Sequence, residues 1–357
     1  MNKNDSSLTP ISLKSTLEML NPAYFALVMA TGIVSIASWL LGMHRIAEVL
    51  LVINVVAFVT LWILTILRAF MYTQRFFSDL TNHKLGVGFF TMIAGSGTLG
   101  SQILLITHNV TIAFWLWILT LFLWLVLIYT VFTAFTVKET KPPIENSLNG
   151  GWLVAIVGTQ SVSILGAQLA GNFPAWHSIL MFFALAMWLG GGMLYIWIIS
   201  MIFYRYMFFR LRADEFTSPY WINMGATAIT TLAGATLIIE GHNISFMVGM
   251  MPFLKGFTLF FWAAGTWWIP MLVILGIWRY VYCRFPLRYD PLHWGGVFPL
   301  GMYTACTLLL ARALGTPFLT EIPKYFIFVA LLAWIATFLG LLATWVHYGR
   351  ESWSSNR

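Results

Sequence analysis

Ten apolar stretches run along this chain of 357 residues, and their texture alternates between small and bulky side chains. We compared ten windows of 21 residues, which start at Pro22, Val49, Gly86, Ala113, Gly150, Ser178, Pro219, Phe257, Trp294 and Tyr325. Gly, Ala, Ser and Thr make up 47 of 105 residues in the odd windows but 27 of 105 in the even windows, although the last pair differs little. Small side chains let helices approach closely in lipid, whereas bulky apolar ones suit contact with acyl chains. The alternation predicts five inner helices and five outer helices.

The composition places the chain in a membrane. Hydrophobic residues make up 60% of it and charged residues only 9%, against about 25% charged residues in soluble domains. A spanning helix needs roughly 20 mostly apolar residues, and each stretch supplies them. The sequence therefore predicts an all-α integral membrane protein, with a ten-helix transmembrane domain over residues 21–348.

The spacing of the inner windows indicates an internal repeat. The odd windows start 64 to 75 residues apart, which is the length of two spanning helices and their loops. A fixed period of this kind is the signature of tandem structural units. We expect five tandem helical hairpins in the same orientation, with the five inner helices around a central pore.

The positive charges orient the chain. Of the 19 Lys and Arg residues, 15 belong to the N-terminus, the connections after even helices and the C-terminus. By the positive-inside rule, both termini are predicted to be cytoplasmic, in a multi-pass protein of the cell membrane. The formal charge of +7 is then mostly a topological bias, and we expect no nucleic-acid partner.

The ends of the chain carry weaker signals. Residues 1–20 are predicted to be a cytoplasmic lead, in which Ile11–Leu20 is either an interfacial helix or a simple approach to the first span. The first apolar stretch is too long for a signal-peptide core, so we expect it to be retained as a span. Residues 349–357 are predicted to be a cytoplasmic tail.

No motif for catalysis or cofactor binding occurs in the chain. HExxH, GxSxG and Walker A patterns are absent, and the two cysteines, Cys283 and Cys306, lie in no CxxC pattern. We expect no cofactor, no metal and no enzymatic activity. An intramembrane enzyme or a receptor is the alternative from another class, but no polar catalytic cluster supports it.

Small polar residues on the inner helices are candidates for lining a pore. Hydroxyl groups can donate hydrogen bonds to an anion, and glycines allow bends that free backbone amides; packing is the competing role. The candidates are Thr31, Gly32, Ser35, Gly95, Ser96, Thr98, Gly158, Thr159, Thr227, Thr230, Gly301 and Thr304. Because no Lys or Arg lies in the middle of any window, we expect weak selection and channel-like conduction.

Glu240 is the best candidate for proton coupling, since it lies at the outer end of the seventh stretch, next to Gly241 and His242. Ionisable residues near an inner helix are functional candidates. An interfacial glutamate with access to water is the competing interpretation.

Two motifs resemble one transporter family. They are NPAYFALVMATG from Asn21 to Gly32 and WGGVFPLG from Trp294 to Gly301. Both resemble the tellurite-resistance/dicarboxylate transporter family, which includes bacterial tellurite-resistance proteins, yeast malate permeases, fungal sulfite exporters and plant slow-type anion channels.

The resemblance implies anion transport through a pore of five inner helices, commonly in a homotrimer with one pore per subunit. In channel-like members a phenylalanine of the ninth helix closes the pore, which gives Phe298 the role of gate here. The leading hypothesis is therefore a channel for small inorganic or carboxylate anions. The alternative is a proton-coupled transporter or exporter of C4-dicarboxylate or sulfite, or a tellurite-resistance permease.

Overall fold

The protein's structure, a computed structural model, is described for residues 17–287 and 289–354, with side chains to residue 346. Within that part of the chain, ten helices are long and apolar enough to cross a membrane, and no strand occurs. They are α1 (Pro22–Leu40), α2 (His44–Met71), α3 (Gly86–Thr107), α4 (Val110–Val137), α5 (Gly150–Ala170), α6 (Pro174–Phe208), α7 (Ser218–Glu240), α8 (Ser245–Tyr282), α9 (Pro291–Leu314) and α10 (Pro317–Val346). The prediction of an all-helical, ten-span membrane protein is confirmed.

The predicted terminal segments are only partly described. Most of the candidate interfacial helix Ile11–Leu20 lies outside the described residues. At the other end, the helix of α10 continues to Ser354, so the first residues of the predicted tail are helical.

All five inner helices open on a 3-10 turn at the same end of the bundle. Three of these turns are capped by a side-chain oxygen that accepts a hydrogen bond from a backbone N–H two residues later, at distances of 2.8 or 2.9 Å: Asn21 with Ala23, Asn149 with Gly151 and Asp290 with Leu292. The cap provides a hydrogen-bond acceptor for a backbone N–H that has no partner within the helix.

Burial separates the two sets of helices as the alternation predicted. Between 72% and 94% of the apolar window is buried in each odd helix, against 17% to 44% in each even helix. The odd helices form a closed ring, in which α1 packs on α3, α3 on α5, α5 on α7, α7 on α9 and α9 on α1. Each even helix packs outside the ring against the odd helices that precede and follow it.

A repeated hydrogen bond joins each outer helix to the inner helix that follows it around the ring. In every case a side-chain N–H of the outer helix donates to an oxygen of the inner helix. The five bonds, of 2.7 to 3.0 Å, run from Asn54 to the Gln102 side chain, Trp124 to the Thr159 hydroxyl, Trp188 to the Thr230 carbonyl, Trp262 to the Thr307 hydroxyl and Trp334 to the Thr31 hydroxyl. The last bond, from α10 to α1, closes the ring.

Two buried arginines hold connections at the amino ends of the inner helices. Arg68, at the end of α2, pairs with the carboxylate of Asp79. Arg205, at the end of α6, donates to the Tyr220 hydroxyl and to the carbonyl of Glu145. Burial of these charges is tolerated because each has a partner.

We expect Trp334→Phe to lower the free energy of unfolding by about 1 kcal/mol, a typical value for one interhelical hydrogen bond in a membrane. The substitution removes the N–H that reaches Thr31 and keeps an aromatic ring against α1. The measurement is the midpoint of SDS-induced unfolding in mixed micelles. Trp345→Phe on the same helix is the control, since Trp345 is 62% exposed; equal shifts in both variants would contradict the assigned role.

Candidate functional site

Two cavities enter the ring of inner helices from opposite ends. We call the first the amino-end cavity, because it lies among the N-terminal turns of all five inner helices; its volume is about 490 Å³. The second, the carboxyl-end cavity, lies among their C-terminal halves and has a volume of about 470 Å³. No described residue lines both cavities.

An uncharged layer separates the two cavities. Along each inner helix the residues that line the amino-end cavity stop before those that line the carboxyl-end cavity begin. The intervening segments are residues 30–32, 92–96, 155–160, 223–228 and 296–301, and none contains Asp, Glu, Lys or Arg. An ion that crossed the bundle along its axis would pass through this layer without meeting a fixed charge.

Phe298 lies in this layer, between Gly295 of the amino-end cavity and Met302 of the carboxyl-end cavity. Its side chain is fully buried. The ring packs against α7 at Gly225, where an added Cβ would lie 3.4 Å from the Phe298 ring and 2.8 Å from Cγ of Pro299. Because α9 begins at Pro291, Phe298 is about 10 Å along the helix, at 1.5 Å per residue.

Most of the hydroxyl groups predicted to line a pore point elsewhere. Thr31 and Thr159 accept hydrogen bonds from tryptophans of outer helices, and Ser35 donates to the carbonyl of Ala47 on α2. The others donate to carbonyls of their own helix and line neither cavity; these are Ser96, Thr227, Thr230 and Thr304. Among the twelve candidates, only Thr98 lies on a cavity wall.

The four predicted glycines serve close packing between helices. An added Cβ on Gly32 would lie 2.7 Å from the Thr98 methyl group, and one on Gly158 would lie 3.2 Å from Ile93. An added Cβ on Gly95 would lie 3.3 Å from the nearest atom of α1, and one on Gly301 would lie 2.9 Å from it. These positions face neighbouring helices and are needed for the ring to close.

Several polar residues that line the carboxyl-end cavity are not among the twelve predicted pore-lining residues. Ser101 and Ser161 line it together with Gln168 and Thr236. Helical periodicity starting from Thr98 would have found Ser101, which is one turn away on the same face. Gln168 carried no such signal, since its role depends on how α5 sits beside α3.

The amino-end cavity contains balanced charges. Arg205 pairs with Glu215 at 3.3 Å, and Arg212 pairs with Asp214 at 3.1 Å. Lys84 lines the same cavity and forms no ion pair with any described carboxylate. The N-terminal ends of five helices converge here, and such ends favour anions.

The carboxyl-end cavity has charged groups only at its mouth. Glu240, at the end of α7, lines it together with His108 and Arg312. Arg312 forms no ion pair with a described carboxylate. The described residues contain no group of three His, Cys, Asp or Glu that could hold a metal ion.

Comparison with known proteins places the chain among membrane transporters. A family described as "Voltage-dependent anion channel" (SLAC1) matches residues 19–342. An uncharacterized transporter of Methanocaldococcus jannaschii is 24% identical over 336 residues, which cover 92% of this chain and 95% of the relative. A second one from that organism is 26% identical over 300 residues, which cover 82% and 83%. An uncharacterized membrane protein of Mycobacterium tuberculosis is 40% identical over 163 residues, 44% of this chain and 82% of the relative.

A buried histidine lies beside the amino-end cavity, in the connection between α2 and α3. The His83 ring stacks on Phe135 with centroids 4.2 Å apart, and its Nδ1 has no hydrogen-bond partner. Burial, together with the charges of Lys138 and Lys141, holds the pKa of His83 below its usual value. The folded protein therefore favours the neutral ring.

We expect His83 to make the protein less stable as the pH falls below about 6.5, the usual pKa of the unfolded side chain. In that range the unfolded chain binds a proton that the folded chain resists, so protonation favours unfolding. The measurement is the unfolding midpoint in detergent at pH 7.5 and pH 5.5. His83→Gln should reduce the difference between the two midpoints, and an unchanged difference would contradict the prediction.

Proposed function

We propose that this chain, which belongs to the voltage-dependent anion channel family, conducts small anions along the axis of its five inner helices, with Phe298 as the gate. The observation that carries the proposal is the pair of cavities at opposite ends of one ring, separated at the level of Phe298. Movement of one side chain would join them. This arrangement suits a channel, because no rearrangement of helices is needed to open the path.

The preference for anions has an electrostatic basis. The inner helices all direct their N-terminal ends, and thus the positive ends of their dipoles, into the amino-end cavity. The outer helices run in the opposite direction but lie further from the axis. Since the layer between the cavities has no fixed charge, an anion would bind weakly there and leave quickly.

We also propose an orientation of the chain in the membrane and its assembly into a homotrimer. The connections rich in Lys and Arg lie at the amino ends of the inner helices, so the amino-end cavity would open to the cytoplasm of a cell membrane, with both termini on that side. The outer helices expose large apolar side chains, including Val52, Phe122 and Trp197. These faces suit contact with lipid and with further copies in a homotrimer.

We expect Phe298→Ala to increase anion conductance at least severalfold, because it removes the ring that lies between the two cavities. The measurement is single-channel or macroscopic current in planar bilayers. Phe90→Ala is the matched control: Phe90 is also a fully buried phenylalanine of an inner helix, but its ring packs against Phe132 of an outer helix. Unchanged conductance in Phe298→Ala would exclude the gate.

Proton-coupled transport of a dicarboxylate or sulfite is the second candidate, favoured by the position of Glu240 on the wall of the carboxyl-end cavity. A carboxylate there could carry a proton alongside an anion. Tellurite resistance would follow from the same export path if tellurite were accepted as an anion.

If transport is coupled, Glu240→Gln should abolish the stimulation of malate or sulfite flux by a pH gradient, because the amide cannot exchange a proton. The assay is uptake of labelled anion into proteoliposomes, with and without the gradient. Flux by the unaltered protein that is indifferent to the gradient would exclude coupling and leave the channel.

A further inference from the structure

We infer that the carboxyl-end cavity holds a hydrogen-bonding subsite for polyatomic oxyanions, formed by the hydroxyl groups of Thr98 and Ser101 on α3 and the amide of Gln168 on α5. The inference rests on the proposed function, which it deepens by naming a substrate class. All three side chains line this cavity. Anions such as nitrate and carboxylates present several oxygen acceptors to such donors.

Thr98 and Ser101 differ from the other hydroxyl residues of the inner helices. Most of those donate to a backbone carbonyl of their own helix, as Ser161 does to Val157 and Thr236 does to Leu232. Thr98 and Ser101 have no hydrogen-bond partner among the described residues, although each is only 6% exposed. Because both residues line the cavity and neither hydroxyl is bonded to a described residue, the two groups are available to a ligand or to water.

The packing of Thr98 leaves its hydroxyl toward the cavity. Its methyl group, Cγ2, occupies the space beside Gly32 on α1, where an added Cβ would lie only 2.7 Å away. A β-branched side chain is stiff about χ1, so contact of the methyl group with α1 also fixes the hydroxyl. Gly32 is predicted to line the pore, but its effect on the cavity is indirect. Because it has no side chain, it leaves room for this rotamer of Thr98.

The amide of Gln168 completes the donor set from the neighbouring helix. Its side chain forms no hydrogen bond with any described residue, so the amide N–H groups, which are the donors of this side chain, are free to bond to an anion in the cavity. Two contacts align α3 with α5: Gly97 lies against Ser161, and Gly100 lies against Leu165. Gln168 is three residues beyond Leu165 and Ser101 is one residue beyond Gly100, so Gln168 lies about 3 Å nearer the mouth than Ser101. The three side chains therefore form a short ladder along the adjoining walls of α3 and α5.

The size of the cavity favours an oxyanion over a halide. Its volume of about 470 Å³ corresponds to about 15 water molecules at roughly 30 Å³ each. A single-atom halide could retain much of its water in such a space, whereas a polyatomic anion can reach donors on two walls at once. The charged residues that line this cavity, Glu240 and Arg312, lie at its mouth, so hydrogen bonds dominate recognition at this depth.

The test is the permeability ratio of nitrate to chloride, obtained from reversal potentials under bi-ionic conditions. We expect Thr98→Val and Ser101→Ala each to lower the ratio about fivefold, which corresponds to loss of one hydrogen bond of about 1 kcal/mol. Gln168→Leu should act in the same direction. The measurement uses the full chain in bilayers, and size-exclusion profiles identify any variant that does not fold.

Two matched controls lie in the same cavity. Thr236→Val and Ser161→Ala make the same chemical changes, but their hydroxyls are already bonded to Leu232 and Val157, so the ratio should stay unchanged. Equal effects in controls and test variants, or no effect in any folded test variant, would overturn the subsite. Absence of any anion current from the unaltered protein would instead overturn the proposed function, so the two failures are distinguishable.

Discussion

The fold depends on the hydrogen bond that each outer helix donates to the inner helix following it around the ring. In lipid no hydrophobic effect drives helices together. Van der Waals packing and interhelical hydrogen bonds must therefore hold them in contact. The five donors are four tryptophans and Asn54. Because the bond from Trp334 returns to Thr31 on α1, the arrangement is closed and no inner helix has a free edge.

This arrangement determines which polar groups are left for function. Hydroxyl groups that accept from tryptophans, such as those of Thr31 and Thr159, are turned away from the axis. Many others are satisfied by carbonyls of their own helix. What remains unpaired on the cavity walls is a small set on α3 and α5, including Thr98 and Ser101. Structural hydrogen bonding and the candidate ligand site thus divide the same residue types between them.

The path along the axis of the ring has charged groups at both ends and an uncharged layer between them. Paired arginines and the N-terminal ends of the inner helices surround the amino-end cavity, while the layer around Phe298 carries no charge. The side-chain charges of the amino-end cavity are balanced, so it is the N-terminal ends of the helices that favour anions there, and the absence of fixed charge in the layer avoids tight binding that would slow their exit. The proposed gate, the single apolar ring of Phe298, is compatible with both requirements.

Composition and the alternation of side-chain size predicted the membrane class, the ten spans and the division into inner and outer helices, because both respond directly to contact with lipid. Two short motifs also predicted the family, which the match over residues 19–342 confirms. Which small residues face a cavity depends on how the helices pack in three dimensions. Gly32 and Gly158 meet neighbouring helices, whereas Thr98 meets the carboxyl-end cavity. All three are small residues on inner helices, and the physical difference is the rotation of each helix about its axis, which is set by partners far away in the chain.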